Sequence, residues 1–163
     1  MGKKKYPTIS PVRSGWRKVS AIDAVALQLD ETDLLEKRAF FRLHPDTNID
    51  SNLIRDFLYQ VRLQVDGQTA VLWDRGSVHT ANRIERLFER YERMEEIRVP
   101  TCCPELNPCK GIWNWSKTND MENVTPRSFD KLVSRTRSSL TKVQHRNNVQ
   151  QWSYHQSELT LLS

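Results

Sequence analysis

The sequence predicts a mixed α/β domain, a sheet with helices on its faces, and three observations predict it. Two consecutive segments near the start alternate apolar and polar residues with a period of two, as the strands of an antiparallel hairpin do. After them, short apolar runs alternate with segments whose apolar residues recur every three or four positions, the pattern of strands alternating with amphipathic helices. With 163 residues the chain can bury one hydrophobic core and is short for two.

The first strand is "RKVSAIDAVALQL", residues 17–29, with Val19, Ala21, Val25, Leu27 and Leu29 at alternate positions and Asp23 as the one interruption. An acid within a hairpin strand is expected to face solvent and keep the strand soluble. "DETD", residues 30–33, has turn chemistry, and "KRAFFRLH", residues 37–44, is the returning strand. Leu53, Ile54, Phe57, Leu58 and Val61 then fall at helical spacing, with Asp50 or Ser51 as N-cap.

"TAVLWD", residues 69–74, follows "DGQ" and suits a fully buried strand whose tip, Asp74, reaches solvent. Residues 81–93 predict a helix with Ile84, Leu87, Phe88 and Tyr91 on its apolar face, and "EEIRVP" a brief strand. Asn107 is the N-cap and Pro108 the first residue of a helix through Trp113 and Trp115. Phe129, Leu132, Val133, Leu140 and Val143 mark a last helix after Pro126. Residues 1–16 read as a basic irregular segment, 17–150 as the domain and 151–163 as a tail.

Lys and Arg number 25 against 20 Asp and Glu, a formal charge of +5, and the sequence pI is near 9.3, which favours an anionic partner. No apolar run approaches the roughly 18 residues of a membrane span, and no apolar h-region follows "MGKKKYPTISP", so a non-secreted chain without a membrane segment is expected. Cys102, Cys103 and Cys109 are an odd number of thiols in one short segment. That suits a reducing compartment, and without further ligands nearby they read as buried thiols rather than a zinc site.

Basic residues collect on the last helix: Arg127, Lys131, Arg135, Arg137, Lys142, His145 and Arg146 are candidates for phosphate contact with DNA. On the earlier helix Arg83, Arg86, Arg90 and Arg93 are interleaved with Glu85, Glu89 and Glu92, which reads as an ordinary solvated face. Trp113 and Trp115 have the chemistry to stack on bases, although Trp113 is expected to pack into the core. His79 reads as a packed turn histidine. Asp74, at the carboxyl end of a strand, can serve as one ligand of a two-metal phosphodiester-cleaving centre or as a local turn residue.

"VLWDRGSVH" followed by "VPTCCPELNPCKGIWNWSK" resembles the second and third catalytic blocks of DDE transposases of the mariner superfamily, in their bacterial insertion-sequence branch. "GWRKVSAIDAVAL" and "FFRLHPDTNIDSNLIRDFL" are also similar to that branch, so the resemblance covers residues 6–155. It implies a ribonuclease H-like mixed sheet flanked by helices. It also implies Mg2+ or Mn2+ held by three carboxylates, and DNA as the substrate that is cut and joined.

Asp74 corresponds to the second, metal-binding acid of that family. Lys110 occupies the position of the third acid, with 35 residues between them. The first acid belongs to an opening strand that this chain is expected to lack, and Pro7 and Pro11 disqualify residues 6–13 as its replacement. The hairpin is then expected to close on the "TAVLWD" strand or to borrow a strand. Glu105 and Asp23 remain open as substitute acids.

The resulting expectation is a truncated DDE catalytic domain with little or no nuclease activity, cytoplasmic and nucleoid-associated. Its expected partners are DNA and intact transposase or a second copy of itself. The alternative is a non-catalytic DNA-binding or partner-binding protein acting as a competitor or regulator.

Overall fold

The computed structural model describes residues 17–29, 35–73, 79, 81–98, 106–122 and 126–156. The hairpin is present as predicted: β1 (Val19–Leu29) pairs antiparallel with β2 (Leu35–Pro45) in one register from Val19 opposite Pro45 to Leu29 opposite Leu35. The 30–33 turn segment lies outside the described residues. α1 (Ser51–Arg62) starts where Asp50 Oδ1 accepts the backbone N–H groups of Asn52 and Leu53 at 3.0 and 2.9 Å.

Gly67 takes φ of 76°, a left-handed turn that glycine adopts without strain, and leads into β3 (Thr69–Trp73). α2 (Asn82–Arg90) is shorter than the predicted 81–93, because Tyr91 already caps it and β4 (Met94–Arg98) begins three residues later. β3 and β4 pair in parallel with α2 as the crossover. α3 (Pro108–Asn119) and α4 (Phe129–Gln144) follow, then α5 (Asn147–Gln156), a helix with no counterpart in the sequence prediction.

The alternation of β1 sends its side chains to two helical layers. Ile22, Ala24 and Ala26, with Phe40 of β2, pack on Phe57 and Val61 of α1 and on Val65. Val19, Ala21 and Val25, with Ala39, Phe41 and Leu43, pack on Ile112 of α3, Leu140 and Val143 of α4 and Val149 of α5. A third cluster joins Ile54 and Leu58 of α1, Ile84 and Leu87 of α2 and Met94 of β4, with Val71 and Trp73 of β3 against it.

Two expectations are corrected. Instead of one mixed sheet, the described strands form two two-stranded sheets, β1–β2 and β3–β4, and the hairpin does not close on β3. They are joined through the side chains of α1, which reach both, and not through backbone hydrogen bonds. Nor is β3 fully buried: its Val71–Trp73 face lies on α1 and α2, whereas Ala70 is exposed and Ile97 of the adjacent strand is 41% exposed. Helices cover one face of this pair, which explains the half-burial. No helix among the described residues is long and apolar enough to cross a membrane.

α3 and α5 meet at Gly111. A Cβ built there would lie 2.6 Å from Ser153 Oγ and 2.9 Å from Ser153 Cα, too close for a backbone atom to yield cheaply. Ser153 Oγ also donates to the Pro108 carbonyl across the same contact. Gly111→Ala should therefore lower the urea midpoint. The helix-propensity gain is about 1 kcal/mol, and an overpacking cost of about 1–3 kcal/mol outweighs it where backbone must move.

Candidate functional site

The first turn of α3 is built as its sequence predicts. Asn107 Oδ1 accepts the Cys109 N–H at 2.9 Å, Pro108 takes the first helical position, and the Lys110 N–H donates to the Asn107 carbonyl at 3.1 Å. Lys110 is exposed, and the first turn contains no acid. Its ammonium sits at the positive end of the helix dipole, where a carboxylate would be favoured, and while protonated it has no lone pair to offer a cation.

Cys109 and Trp113, one turn apart, point the other way, toward β1. Between them lies Asp23, and this corrects the expectation of a solvent-facing acid. Asp23 shares the β1 face of Ala21 and Val25, so alternation carries it under α3, where the indole N–H of Trp113 and the thiol of Cys109 hydrogen-bond to it. Its Oδ2 is buried without a partner. Burial pushes the Asp23 carboxyl above its usual range, and the two donors offset this only in part. The partly buried Cys109 thiol is pushed well above its usual value by burial and then by the neighbouring carboxyl, which disfavours the reactive thiolate.

The carboxyl end of β3 is clamped by side chains. Trp73 stacks parallel on His79, with ring centroids 4.5 Å apart and planes 1° from parallel, and Phe88 meets it edge-on at 5.8 Å. The Trp73 indole N–H donates to Glu96 Oε1 at 2.8 Å, and Arg98 holds both Glu96 oxygens from Nε and Nη2 at 2.9 Å each. Arg98, and then Trp73 after the opposing effect of burial, keep the Glu96 carboxyl below its usual range. Sequence reasoning passed over Glu96; the i, i+2 spacing of Glu96 and Arg98 on one strand face was the available signal. Asp74, next in the chain after Trp73, lies outside the described residues, as do Glu105, Cys102 and Cys103.

The fit to Mg2+ or Mn2+ can be judged at the described positions. Lys110 is a cation, Asp23 is a carboxyl that burial favours in its neutral form, and among the described residues no group of three or more His, Cys, Asp or Glu side chains converges. Neither Lys110 nor Asp23 offers a divalent ion a negative ligand, and no step through one follows from them.

Of the seven residues assigned to DNA, Arg137, Lys142, His145 and Arg146 line an open groove of about 560 Å3 along α4, together with Ser134, Ser138 and Thr141. A second recess of about 340 Å3 shares Ser134 and Arg137 and extends to Arg17, Phe129 and Asp130. Lys142 Nζ also pairs with Asp120 at 2.7 Å, and Arg135 Nε donates to the Asp120 carbonyl at 3.1 Å, which ties Arg135 to the end of α3. Arg127, Lys131 and Arg135 do not line the groove. Trp115 packs against the core with Arg146 5.5 Å above its ring, and Trp113 is likewise a packing residue.

Because the native state holds the Asp23 proton to higher pH than the unfolded chain, stability should be full below the ordinary carboxyl range, about pH 3.9, and fall as pH rises through the raised native value. Asp23→Asn should flatten that decline and raise stability near neutral pH. Urea unfolding of both proteins across pH measures it; parallel pH profiles would refute it.

No curated protein and no solved structure matches the chain. The model of one family does, across residues 33–133, more than half of the sequence and a stretch that includes both the β3 end and the first turn of α3. The chain belongs to the DDE superfamily of endonucleases.

Proposed function

We propose that this protein is a transposase-type catalytic domain of the mariner superfamily, in the bacterial insertion-sequence branch, that engages DNA and does not cut it. Membership in a DDE endonuclease family makes DNA the substrate class and divalent metals the usual cofactors. The observation that carries the loss of cutting is Lys110: an exposed ammonium occupies the helix turn where the branch places its third carboxylate. Two-metal cleavage requires negative ligands around both ions, and a cation in that shell opposes their binding.

The site roles follow from this reading. Asp74 is the retained acid, Lys110 is the lost one, and neither Asp23, buried beneath α3, nor Glu105 replaces it. The α4 groove, with Arg137, Lys142 and Arg146, is the phosphate-contacting surface, while Arg127, Lys131 and Arg135 flank it. Such a protein acts as a competitor for DNA or as a partner of intact transposase, and among the described residues each two-stranded sheet has strand edges at which a second chain can pair.

The test uses supercoiled plasmid with Mg2+ or Mn2+, and fluorescence anisotropy with duplex DNA. The expected result is no nicking, with binding that weakens steeply as salt rises. Replacing Arg137 and Arg146 by Gln should make the log–log salt slope shallower by about 0.9 for each phosphate no longer neutralised. Metal-dependent nicking that disappears in Asp74→Asn would overturn the proposal.

A further inference from the structure

The structure sorts charges that the sequence interleaves. On α2, Arg83, Arg86 and Arg90 recur at i, i+3 and i+7 and share one flank, whereas Glu85 and Glu89 share the other, where Glu85 lies near Arg98 of β4. The arginine flank faces α1. Arg83 Nη1 donates to Asn52 Oδ1 in the first turn of α1, and at the far end Tyr59 and Tyr91 approach to 6.1 Å between centroids. Matching turns therefore meet, so the two helices run parallel and enclose a furrow.

From α1 the furrow receives Arg55, Tyr59 and Arg62, again at one-turn spacing. The Arg62 guanidinium lies 4.1 Å from the Tyr91 ring centroid and 5.4 Å from that of Tyr59, and Arg90 lies 5.7 Å from Tyr91. Arg55 pairs with Asp56. Among the described residues Arg62, Arg83, Arg86 and Arg90 have no carboxylate within salt-bridge distance, and Arg62 Nε is buried without an acceptor. Tyr59 presents 38% of its surface to solvent beside them.

We propose that the α1–α2 furrow is a second nucleic-acid surface that takes a single-stranded segment, with its phosphates on Arg62, Arg83, Arg86 and Arg90 and a base on Tyr59. The row of guanidinium groups on α2, about 10 Å long, with Arg62 across from its far end, follows a polyanion backbone better than a point anion. An exposed ring among them supplies the stacking platform of sequence-tolerant single-strand binding. Because α1 packs on the Ile22–Ala24–Ala26 face of β1 and α4 on the opposite face, this surface and the α4 groove lie on different layers of the protein. Strands on the two surfaces therefore do not compete. The inference shares only the ligand class with the proposed function and does not need the α4 groove.

The probe is an iodouracil-substituted oligothymidylate, photocrosslinked to the full chain, with the adduct mapped by peptide mass spectrometry. An adduct on Tyr59 or Tyr91 is expected. It should disappear in the doubly substituted protein Arg86→Gln with Arg90→Gln, both exposed positions, whose salt slope should be shallower by about 0.9 per phosphate left without its cation. It should persist in Arg137→Gln with Arg146→Gln, which tests the α4 groove alone. Adducts confined to α4 peptides, or an adduct indifferent to the α2 substitutions, would overturn the inference. So would polyglutamate displacing the oligonucleotide from Tyr59 at lower charge concentration, because the furrow would then belong to an acidic protein.

Discussion

One apolar stripe on α1 holds the two halves of this fold in register. Ile54 and Leu58 lie over the β3–β4 pair, Phe57 and Val61 lie over the hairpin, and Ile22 of β1 touches both clusters. No backbone ladder connects the two described sheets, so the work falls to side chains worth about 1.5–3 kcal/mol each when fully buried. Such contacts are strong but non-directional. The distance between the tip of β3 and the first turn of α3 is thus set indirectly, from β3 to α1, from α1 to β1, and from β1 to α3.

The last link in that path explains why Lys110 is exposed. Cys109 and Trp113 are four residues apart and turn inward onto Asp23, while Gly111 lets α5 approach, with Ser153 bonding to the Pro108 carbonyl. With those sides of the first turn occupied, Lys110 is left on the solvent side. An ammonium in water loses little there apart from its opposition to the helix dipole, an effect of a few tenths to about 1 kcal/mol. The fold therefore tolerates an ammonium at this turn.

Much of the architecture was legible because its elements repeat with clean periods. The alternation around Val19–Leu29, the i, i+3, i+4 stripe of α1 and the Asn-Pro start of α3 each have one physical reading. α5 was hidden because, beside Val149, its described buried residues Gln150 and Ser153 are polar. Gln150 donates to the Val143 and Gln144 carbonyls at 2.9 and 3.0 Å, closing the end of α4, and Ser153 is buried against α3. A helix that buries amides and hydroxyls to satisfy its neighbours has no hydrophobic period. Asp23 misled for a related reason: alternation assigns it to a face but cannot say whether that face is dry, and here helices cover both faces of the hairpin. At the candidate site, helical spacing brings four of the seven basic candidates, Arg137, Lys142, His145 and Arg146, along one groove, whereas Asp74 lies outside the described residues.

The charge balance has a spatial logic that composition alone hides. Several acids are engaged at structural junctions: Asp46 with Arg17 at the start of β1, Glu96 with Arg98 at the end of β4, and Asp120 with Lys142 where α3 meets α4. Each neutralises a cation that would otherwise face outward, while Arg62, Arg83, Arg86 and Arg90 of α1 and α2 and Arg137 and Arg146 at α4 have no carboxylate within salt-bridge distance among the described residues. Guanidinium groups tolerate that isolation because an aromatic face partly replaces a carboxylate, as Tyr91 does for Arg62 and Trp115 for Arg146. The described cations of α1 and α2 thereby stand on one side of the hairpin and those of α4 on the other, where clustered charges act on a polyanion more strongly than the same charges spread evenly.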